Sequence, residues 1–336
     1  MSSRKVVVVF GGAGFIGSHL VDVLVQKYDV LVVDNMSTGD ERNLTNAKNG
    51  PGKLHVIQTD VSLGPDRHYS GTVDRIAYNI QSHFPKAELF AVVNLACPAS
   101  PVAYQNDPIG TMDVCYLGTK HALQLAEQFG ARAFHASTSE IYGDPEVSPQ
   151  DETYKGSVNT WGLRSCYDEG KRLAETLCFE YTRRGNDVRV VRIFNTFGPR
   201  MQMDDGRVIS NFVVQALSCK NISIYGDGSQ TRSFCYVDDL VRGIVAYLHE
   251  NHGHPTPINL GNPQERTISE TAEFIVRTLC STSQVVYSQL PQDDPKRRNP
   301  DISLAQKILG WSPEISFEEG IRRTIDYFSI KLEQNG

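Results

Sequence analysis

Gly11-Gly12-Ala13-Gly14-Phe15-Ile16-Gly17 is the stretch that decides the fold. It follows the apolar run Val6-Val7-Val8-Val9-Phe10 and opens a segment, residues 16–28, with the apolar spacing of a helix. The repeated glycines allow a tight turn and let backbone amides approach a pyrophosphate at the positive end of that helix. The stretch therefore predicts a strand, a phosphate-binding loop and a helix in succession.

The end of the second predicted strand, residues 30–34, specifies the ligand of that loop. Asp34 lies about 20 residues after the loop, where a carboxylate binds the ribose hydroxyls of an adenosine. The same carboxylate repels a 2′-phosphate, and no arginine follows it immediately, so we expect NAD and not NADP. The cofactor site is predicted to contain Gly11, Gly14, Phe15, Ile16, Gly17, Asp34 and Asn35, together with Tyr167 and Lys171. Asp60, at the end of the third strand, is added as an adenine contact, with a plain surface turn as the alternative.

Short runs rich in Val and Ile alternate with longer helical segments through the first 195 residues. The predicted strands are 6–10, 30–34, 54–58, 90–96, 132–138 and 188–195. The predicted helices between them are 16–28, 74–84, 109–129 and 167–183. Near-continuous apolar strands alternating with helices indicate a parallel sheet covered on both faces. We therefore expect an α/β fold with a Rossmann-type, doubly wound parallel sheet.

The alternation weakens after Asn195, which predicts a second, smaller lobe. A lone strand is expected within 221–228, and a helix at 237–250 with the run 257–261 indicates a return to the main sheet. A helix at 268–279, a strand at 285–287 and a helix at 317–332 follow. We expect an NAD-binding domain of residues 1–197 plus 235–262. Residues 198–234 plus 263–336 are expected to form a discontinuous C-terminal lobe that binds the substrate.

The composition excludes several classes of function. Hydrophobic residues at 40% and charged residues at 21% exclude a disordered or fibrous chain. The net charge of −6 argues against nonspecific binding to nucleic acid or anionic membranes, and no apolar run approaches the ~20 residues that cross a bilayer. The amino terminus has no signal-peptide pattern, and the seven scattered cysteines lack zinc spacing and suit a reducing compartment. We expect a cytoplasmic protein with no metal site and no nucleic-acid or membrane partner.

Tyr167 and Lys171 form a candidate catalytic pair because they are four positions apart, on one face of a predicted helix. A nearby cation and a positive nicotinamide favour the phenolate, which can take the proton from an alcohol as hydride leaves carbon. The alternative is an aromatic residue beside a solvated lysine. By themselves these two residues predict only that an alcohol is oxidised.

The fifth strand ends in Ser137-Thr138-Ser139-Glu140, at the edge where open α/β sheets bind ligands. Hydroxyls there can hold the substrate oxygen that Tyr167 deprotonates, and Glu140 supplies a carboxylate for a second proton transfer. The alternative makes the hydroxyls a helix cap or turn and Glu140 a surface charge.

Six stretches of the sequence match motifs of a single protein family. They are Asn94 to Pro101 (NLACPASP), Ser137 to Glu146 (STSEIYGDPE), Cys166 to Arg172 (CYDEGKR), Arg192 to Arg200 (RIFNTFGPR), Gly226 to Arg232 (GDGSQTR) and Asp293 to Asp301 (DDPKRRNPD). With them, the chain resembles the extended short-chain dehydrogenases/reductases over nearly its whole length. More narrowly, it resembles the UDP-glucuronic acid decarboxylases, also called UDP-xylose synthases.

The resemblance implies roles for individual residues. Thr138, Tyr167 and Lys171 match the redox triad, and Ser139 and Glu140 match the decarboxylase-type pair. The remaining matches concern the substrate, for which the assigned residues are Asn195, Arg207, Arg232 and Arg298. Arg298 also counts as catalytic because it matches the arginine of the Asp-Asp-Pro segment. From residue chemistry alone, Arg232 and Arg298 are good anion clamps but equally suit surface ion pairs.

The implied reaction is decarboxylation of UDP-glucuronate to UDP-xylose through a 4-keto intermediate, with NAD regenerated in each cycle. The alternatives are a nucleotide-sugar 4-epimerase or 4,6-dehydratase and, in another class, a catalytically silent NAD-sensing protein. Extended relatives pair through the helices that match 109–129 and 167–183, so the resemblance implies a homodimer with a four-helix bundle.

Several positions depart from the family pattern, among them Thr160, Trp161 and Leu163, which replace the usual small and proline residues before Arg164. Phe10 replaces the usual Thr before the glycine loop, Asn94 replaces a frequent His, and Cys115 replaces the usual Asn in the following helix. These changes affect no member of the triad, and we expect them to alter cofactor binding or substrate fit.

Overall fold

The computed structural model describes residues 4–68, 70–251, 253–289 and 297–335. Its strands are β1 (Val6–Phe10), β2 (Asp29–Asp34), β3 (Leu54–Gln58), β4 (Leu89–Asn94), β5 (Arg132–Thr138), β6 (Val188–Ile193), β7 (Thr196–Phe197), β8 (Ile222–Tyr225), β9 (Thr231–Ser233), β10 (Cys235–Tyr236), β11 (Ile258–Leu260), β12 (Glu265–Thr267) and β13 (Val285–Ser288).

The helices of this part of the chain are α1 (Phe15–Leu24), α2 (Thr45–Lys48), α3 (Thr72–His83), α4 (Pro101–Asn106), α5 (Pro108–Asp113), α6 (Thr119–Phe129), α7 (Ser165–Arg183), α8 (Val208–Leu217), α9 (Val237–His249), α10 (Ile268–Leu279), α11 (Ser303–Leu309) and α12 (Phe317–Asn335). Short 3-10 turns cover Glu41–Leu44 and Ser139–Tyr142, and a π-helical turn, Val114–Gly118, joins α5 to α6.

Seven strands form one parallel sheet in the order β11-β6-β5-β4-β1-β2-β3. The strand order reverses between β1 and β4, so the chain leaves these neighbours in opposite directions and a crevice opens at their carboxyl ends. All five residues of β1 are buried, and they alternate between the two faces of the sheet. Val7 and Val9 belong to one hydrophobic core, whereas Val6, Val8 and Phe10 belong to the other. The doubly wound α/β prediction is confirmed.

The small sheets lie after β6 in the chain. Three two-stranded sheets pair β7 with β10, β9 with β12 and β8 with β13. Between them the chain returns to the main sheet, where β11 lies along β6 with Ile258 opposite Val191. Across the residues that the structure describes, no helix is both long and apolar enough to cross a bilayer.

Two sequence predictions need correction. The helix expected over 109–129 is not regular, because the π turn Val114–Gly118 interrupts it. Helices α2, α4, α8 and α11 were not predicted, and neither were the two- and three-residue strands β7, β9, β10 and β12. The six and seven residues of α4 and α11 are too few to show a helical period, and the dense apolar sequence of α8 is equally compatible with a buried strand.

Candidate active site

A cleft of about 1000 Å³ opens at the carboxyl ends of β1, β4 and β5. Every residue proposed from the sequence as a cofactor, catalytic or substrate residue lines it. These residues are Gly11, Gly14, Phe15, Ile16, Gly17, Asp34, Asn35, Asp60, Thr138, Ser139, Glu140, Tyr167, Lys171, Asn195, Arg207, Arg232 and Arg298. Among the described residues, no group of three or more His, Cys, Asp or Glu side chains could hold a metal ion.

The glycine loop leaves no room for side chains. Gly11 has a φ of 74°, and its amide donates to Val33 O at 2.8 Å, which fixes the turn after β1. A Cβ on Gly17 would lie 2.0 Å from Gly11 O. Helix α1 begins at Phe15 with no acidic residue in its first turn, so its unpaired amides can face an anion. This backbone cradle fits a pyrophosphate.

Asp34 lies where the adenosine half of a dinucleotide would continue from the loop. Its side chain is buried, and it accepts hydrogen bonds from the amides of Ala13 at 2.9 Å and Met36 at 2.8 Å. Burial raises the pKa of Asp34, whereas these amides lower it. The side-chain amide of Asn35 donates to Asp60 at 2.9 Å, so the residue that follows β2 is linked to the carboxylate that follows β3 along one wall of the cleft.

We expect Gly17→Ala to abolish measurable NAD binding, because the new methyl group overlaps the carbonyl oxygen that shapes the loop. Isothermal titration with NAD and a thermal melt measure the binding loss and the fold separately. Gly64→Ala is the matched control, since a Cβ there meets nothing within 4 Å. Wild-type affinity in Gly17→Ala would contradict the assigned cradle.

Thr138, Tyr167 and Lys171 meet where β5 faces α7. Lys171 is buried, and its Nζ donates to Ala136 O at 2.8 Å and lies 5.9 Å from the centre of the Tyr167 ring. Burial raises the pKa of Tyr167 well above its usual range, the charges of Cys97 and Glu140 add to the rise, and a hydrogen bond with Thr138 opposes it. A phenolate at Tyr167 therefore needs further positive charge in the cleft, which an oxidised nicotinamide provides.

Thr138 has the capping role that was weighed from the sequence. Its Oγ1 accepts a hydrogen bond from the Glu140 amide at 3.2 Å and so caps the 3-10 turn Ser139–Tyr142. Interaction with the same side chain lowers the pKa of Tyr167, against the larger effect of burial. Ser139 is buried at the start of this turn.

Glu140 is held by two arginines and is not a surface charge. Its Oε2 accepts a hydrogen bond from Arg164 Nη2 at 2.7 Å and another from Arg298 Nη2. Although burial raises it, the charges of Arg298 and Arg164 hold the pKa of Glu140 below its usual range. Nε of Arg298 is buried and makes no hydrogen bond to the residues described. Glu140 is therefore an ionised carboxylate, and Arg298 retains a donor for a ligand.

The remaining predicted substrate residues line the cleft with partners of their own. Arg207 Nε donates to Asp205 at 2.7 Å, and its guanidinium carbon lies 5.5 Å from the centre of the Phe15 ring. Arg232 is buried and donates to Thr231 O at 2.9 Å. The backbone carbonyl oxygen of Asn195 accepts a hydrogen bond from the Cys235 amide at 2.9 Å.

Three residues of this site were not singled out from the sequence. The ring of Tyr104 stacks on Tyr167 with centroids 5.1 Å apart and planes 9° apart. Its hydroxyl is buried without a hydrogen-bond partner among the described residues. Arg164 and Asp168, at the start of α7, are also buried beside Glu140. Arg164 and Asp168 could have been found from the sequence, because their opposite charges flank Tyr167 at helical spacing. The stacking of Tyr104 depends on tertiary structure alone.

Asp168 should make stability depend on pH. Burial, together with the charge of Glu140, raises its pKa to about 8. From about pH 4 to about pH 8 the native protein therefore holds a proton that the unfolded chain releases, so stability falls as pH rises through this range. Between about pH 6 and about pH 8, we expect the free energy of unfolding of Asp168→Asn to rise by about 1–2 kcal/mol relative to that of the wild type. Thermal melts at several pH values measure this, and parallel curves for the two proteins would contradict it.

The comparison with known proteins decides the family. A model described as the NAD dependent epimerase/dehydratase family matches residues 7–261. The chain belongs to this family. Membership in the NAD dependent epimerase/dehydratase family agrees with NAD as the cofactor predicted from Asp34 and the glycine loop.

Individual proteins of known name are also similar to this chain over nearly its whole length. UDP-glucuronic acid decarboxylase 1 of Danio rerio is 47% identical over 332 residues, which cover 98% of this chain and 74% of that protein. UDP-glucuronic acid decarboxylase 1 of Arabidopsis thaliana is 46% identical over 331 residues, covering 98% and 71%. The solved UDP-glucose 4-epimerase of Thermotoga maritima, with UDP-glucose, gives a TM-score of 0.85 at 26% identity and covers 98% of this chain and 100% of that one. The resemblance inferred from the sequence motifs is confirmed.

Proposed function

We propose that this enzyme converts UDP-glucuronate to UDP-xylose and carbon dioxide, with NAD regenerated in each turnover. The observation that carries the proposal is the ion pair of Glu140 with Arg298, buried in the same cleft as Tyr167 and Lys171. A cation beside the redox residues suits a sugar that carries a carboxylate at C5. The names of relatives that are 42–47% identical support the same reaction.

The chemistry that bound NAD supplies is removal of hydride from C4 of the sugar and its later return. The phenolate of Tyr167, which Lys171 stabilises, takes the proton of the C4 hydroxyl, which Thr138 helps to orient. Oxidation at C4 places a ketone β to the carboxylate, so carbon dioxide leaves as an enolate forms. A proton added at C5 converts the enolate back to the C4 ketone. Tyr167 then returns its proton to the C4 oxygen as hydride returns to C4.

We assign Arg298 to hold the substrate carboxylate and Glu140 with Ser139 to orient the sugar and move the proton at C5. Glu140 is ionised and shares its Oε2 with two arginines, so it is held in one position until the substrate arrives. Asn195, Arg207 and Arg232 would bind the nucleotide diphosphate. On this assignment residues 198–234 plus 263–336 form the nucleotide-sugar lobe, and residues 1–197 plus 235–262 form the NAD domain.

A 4-epimerase or 4,6-dehydratase is the nearest alternative, because such enzymes share the glycine loop and the oxidation at C4. Identity favours the decarboxylase, at 47% against 26% for the epimerase of Thermotoga maritima. A silent NAD sensor has no use for a buried Lys171 beside Tyr167, and such a protein would bind NAD without turnover.

Incubation with NAD and UDP-glucuronate, followed by NMR of the sugar product, tests the proposal. We expect UDP-xylose with release of carbon dioxide and no net accumulation of NADH. UDP-galacturonate would identify an epimerase. In a parallel incubation with UDP-glucose, a 4-keto-6-deoxy sugar would identify a dehydratase, and unchanged sugar in both incubations would favour the sensor.

We also propose a homodimer that forms through α5, α6 and α7. Helix α5 and the π turn pack against α7, and this region exposes Ile109, Met112, Tyr116, Leu173 and Phe179. A monomer rarely exposes apolar side chains so close together.

We expect Phe179→Glu to convert a dimer into a monomer, because it would bury a charge at the contact. Light scattering after size exclusion measures the mass. Ile330→Glu, at an equally exposed position on α12, is the control and should stay dimeric. Unchanged mass in Phe179→Glu would place the contact elsewhere.

The seven free cysteines support a reducing, cytoplasmic location.

A further inference from the structure

Two cysteines beside the catalytic centre lie close enough to react with each other. Cys97 follows β4 and lines the cleft, whereas Cys115 is buried on the π turn between α5 and α6. Their sulfur atoms are 3.4 Å apart, although 17 residues separate them in the chain. Cys115 is one of the positions at which this chain departs from its family's usual residue. The proposed reaction uses neither thiol.

The surroundings give the two sulfurs different roles. The hydrogen bond from Cys115 and the charge of Lys171 lower the pKa of Cys97 despite burial. The same hydrogen bond and burial raise the pKa of Cys115. Cys97 is therefore the nucleophile, open to a small molecule in the cleft, and Cys115 is the protonated partner behind it.

We propose that Cys97 and Cys115 form an oxidation site at which peroxide closes a disulfide and stops turnover. The Cys97 thiolate attacks one peroxide oxygen, breaks the O–O bond and becomes a sulfenic acid as hydroxide leaves. The Cys115 sulfur then attacks Cys97, forms the S–S bond and releases water. Two thiols are oxidised, and one peroxide is reduced to two waters.

Closure would disturb both halves of the active site. A disulfide is about 2.05 Å long, so the sulfurs must approach by about 1.4 Å from their present separation. The chain just before Cys97 touches the glycine loop, since a Cβ on Gly11 would lie 2.8 Å from Ala96 N. Cys115 packs on α7 beside Lys171, since a Cβ on Gly170 would lie 3.0 Å from Cys115 Sγ. Movement at either contact shifts the cofactor loop or the catalytic lysine.

Exposure of the NAD-loaded enzyme to hydrogen peroxide tests this site. Peptide mapping should find Cys97 linked to Cys115 with the loss of two hydrogen atoms, a readout that does not depend on which substrate the enzyme uses. Turnover of UDP-glucuronate, which rests on the proposed function, should fall at least about tenfold, because a displacement of ~1 Å can cost up to ~100-fold. Dithiothreitol should restore it.

Cys115→Ser separates the pair from general oxidation damage. This variant should keep basal turnover, form no linked peptide and lose the dithiothreitol-reversible part of its inactivation, because Cys97 is then oxidised further. Cys166→Ser is the control and should behave as the wild type. The proposal is wrong if oxidised wild type contains no Cys97–Cys115 link, if the linked enzyme keeps full turnover, or if Cys115→Ser is inactivated and rescued as the wild type is.

Discussion

Tyr167→Phe will lower kcat for UDP-glucuronate by about a thousandfold or more, within the range expected for loss of a positioned acid–base group. The phenylalanine keeps the stacking on Tyr104, where the ring centroids lie 5.1 Å apart, but cannot take the proton of the C4 hydroxyl. Coupled measurement of carbon dioxide release and of the sugar product by NMR gives the rate.

The control for this variant is Tyr287→Phe, which removes a hydroxyl from an exposed strand residue and should leave turnover unchanged. Affinity for NAD should also persist in Tyr167→Phe, because the glycine loop and Asp34 supply most of the contacts expected for the cofactor. Near-normal turnover in Tyr167→Phe would mean that another group is the base.

Arg298→Ala should cost about 2–5 kcal/mol in kcat/KM for UDP-glucuronate, the cost of truncating one partner of a buried charge pair. The substitution removes the cation proposed to hold the substrate carboxylate. Glu140 then keeps only its ion pair with Arg164. Release of carbon dioxide under kcat/KM conditions measures the loss, and NAD affinity, measured in parallel, should change little.

The neighbouring residue provides a matched control. Arg297 is more than half exposed and pairs with Glu265 at 3.0 Å, so Arg297→Ala removes the same charge from outside the cleft. It should retain turnover close to that of the wild type. Equal losses of NAD affinity and turnover in Arg298→Ala would show that this arginine supports the fold and has no direct part in handling the carboxylate.

Much of the fold was predictable because its signals are local. The glycine loop fixes a turn between a strand and a helix, and the strands β1, β3 and β5 have the bounds predicted from their apolar residues. The π turn was not predictable, because the sequence 109–129 retains a helical pattern throughout. Its position depends on how α5 and α6 pack against α7.

The candidate site was only partly predictable for a similar reason. Tyr167 and Lys171 are four residues apart, so their proximity follows from the geometry of one helix. The ion pair between Glu140 and Arg298 joins residues that are 158 positions apart, and residue chemistry alone left Arg298 as either a clamp or a surface charge. Arg164 pairs with Glu140 because both side chains are buried in the same cleft. Charge pairing across the cleft is a tertiary property that no local spacing encodes.

The order of strands has a consequence for how the chain folds during synthesis. β1 lies near the centre of the sheet, yet its neighbour β4 pairs Leu89 with Val6, and the edge strand β11 pairs Ile258 with Val191. Pairings so distant in sequence form slowly, because long loops must close first. Until about residue 260 has left the ribosome, β6 is paired only with β5, and its other side is an open strand edge that can recruit other chains. We therefore expect truncations that end before β11 to aggregate, even though they contain the whole glycine loop and both members of the Tyr167–Lys171 pair.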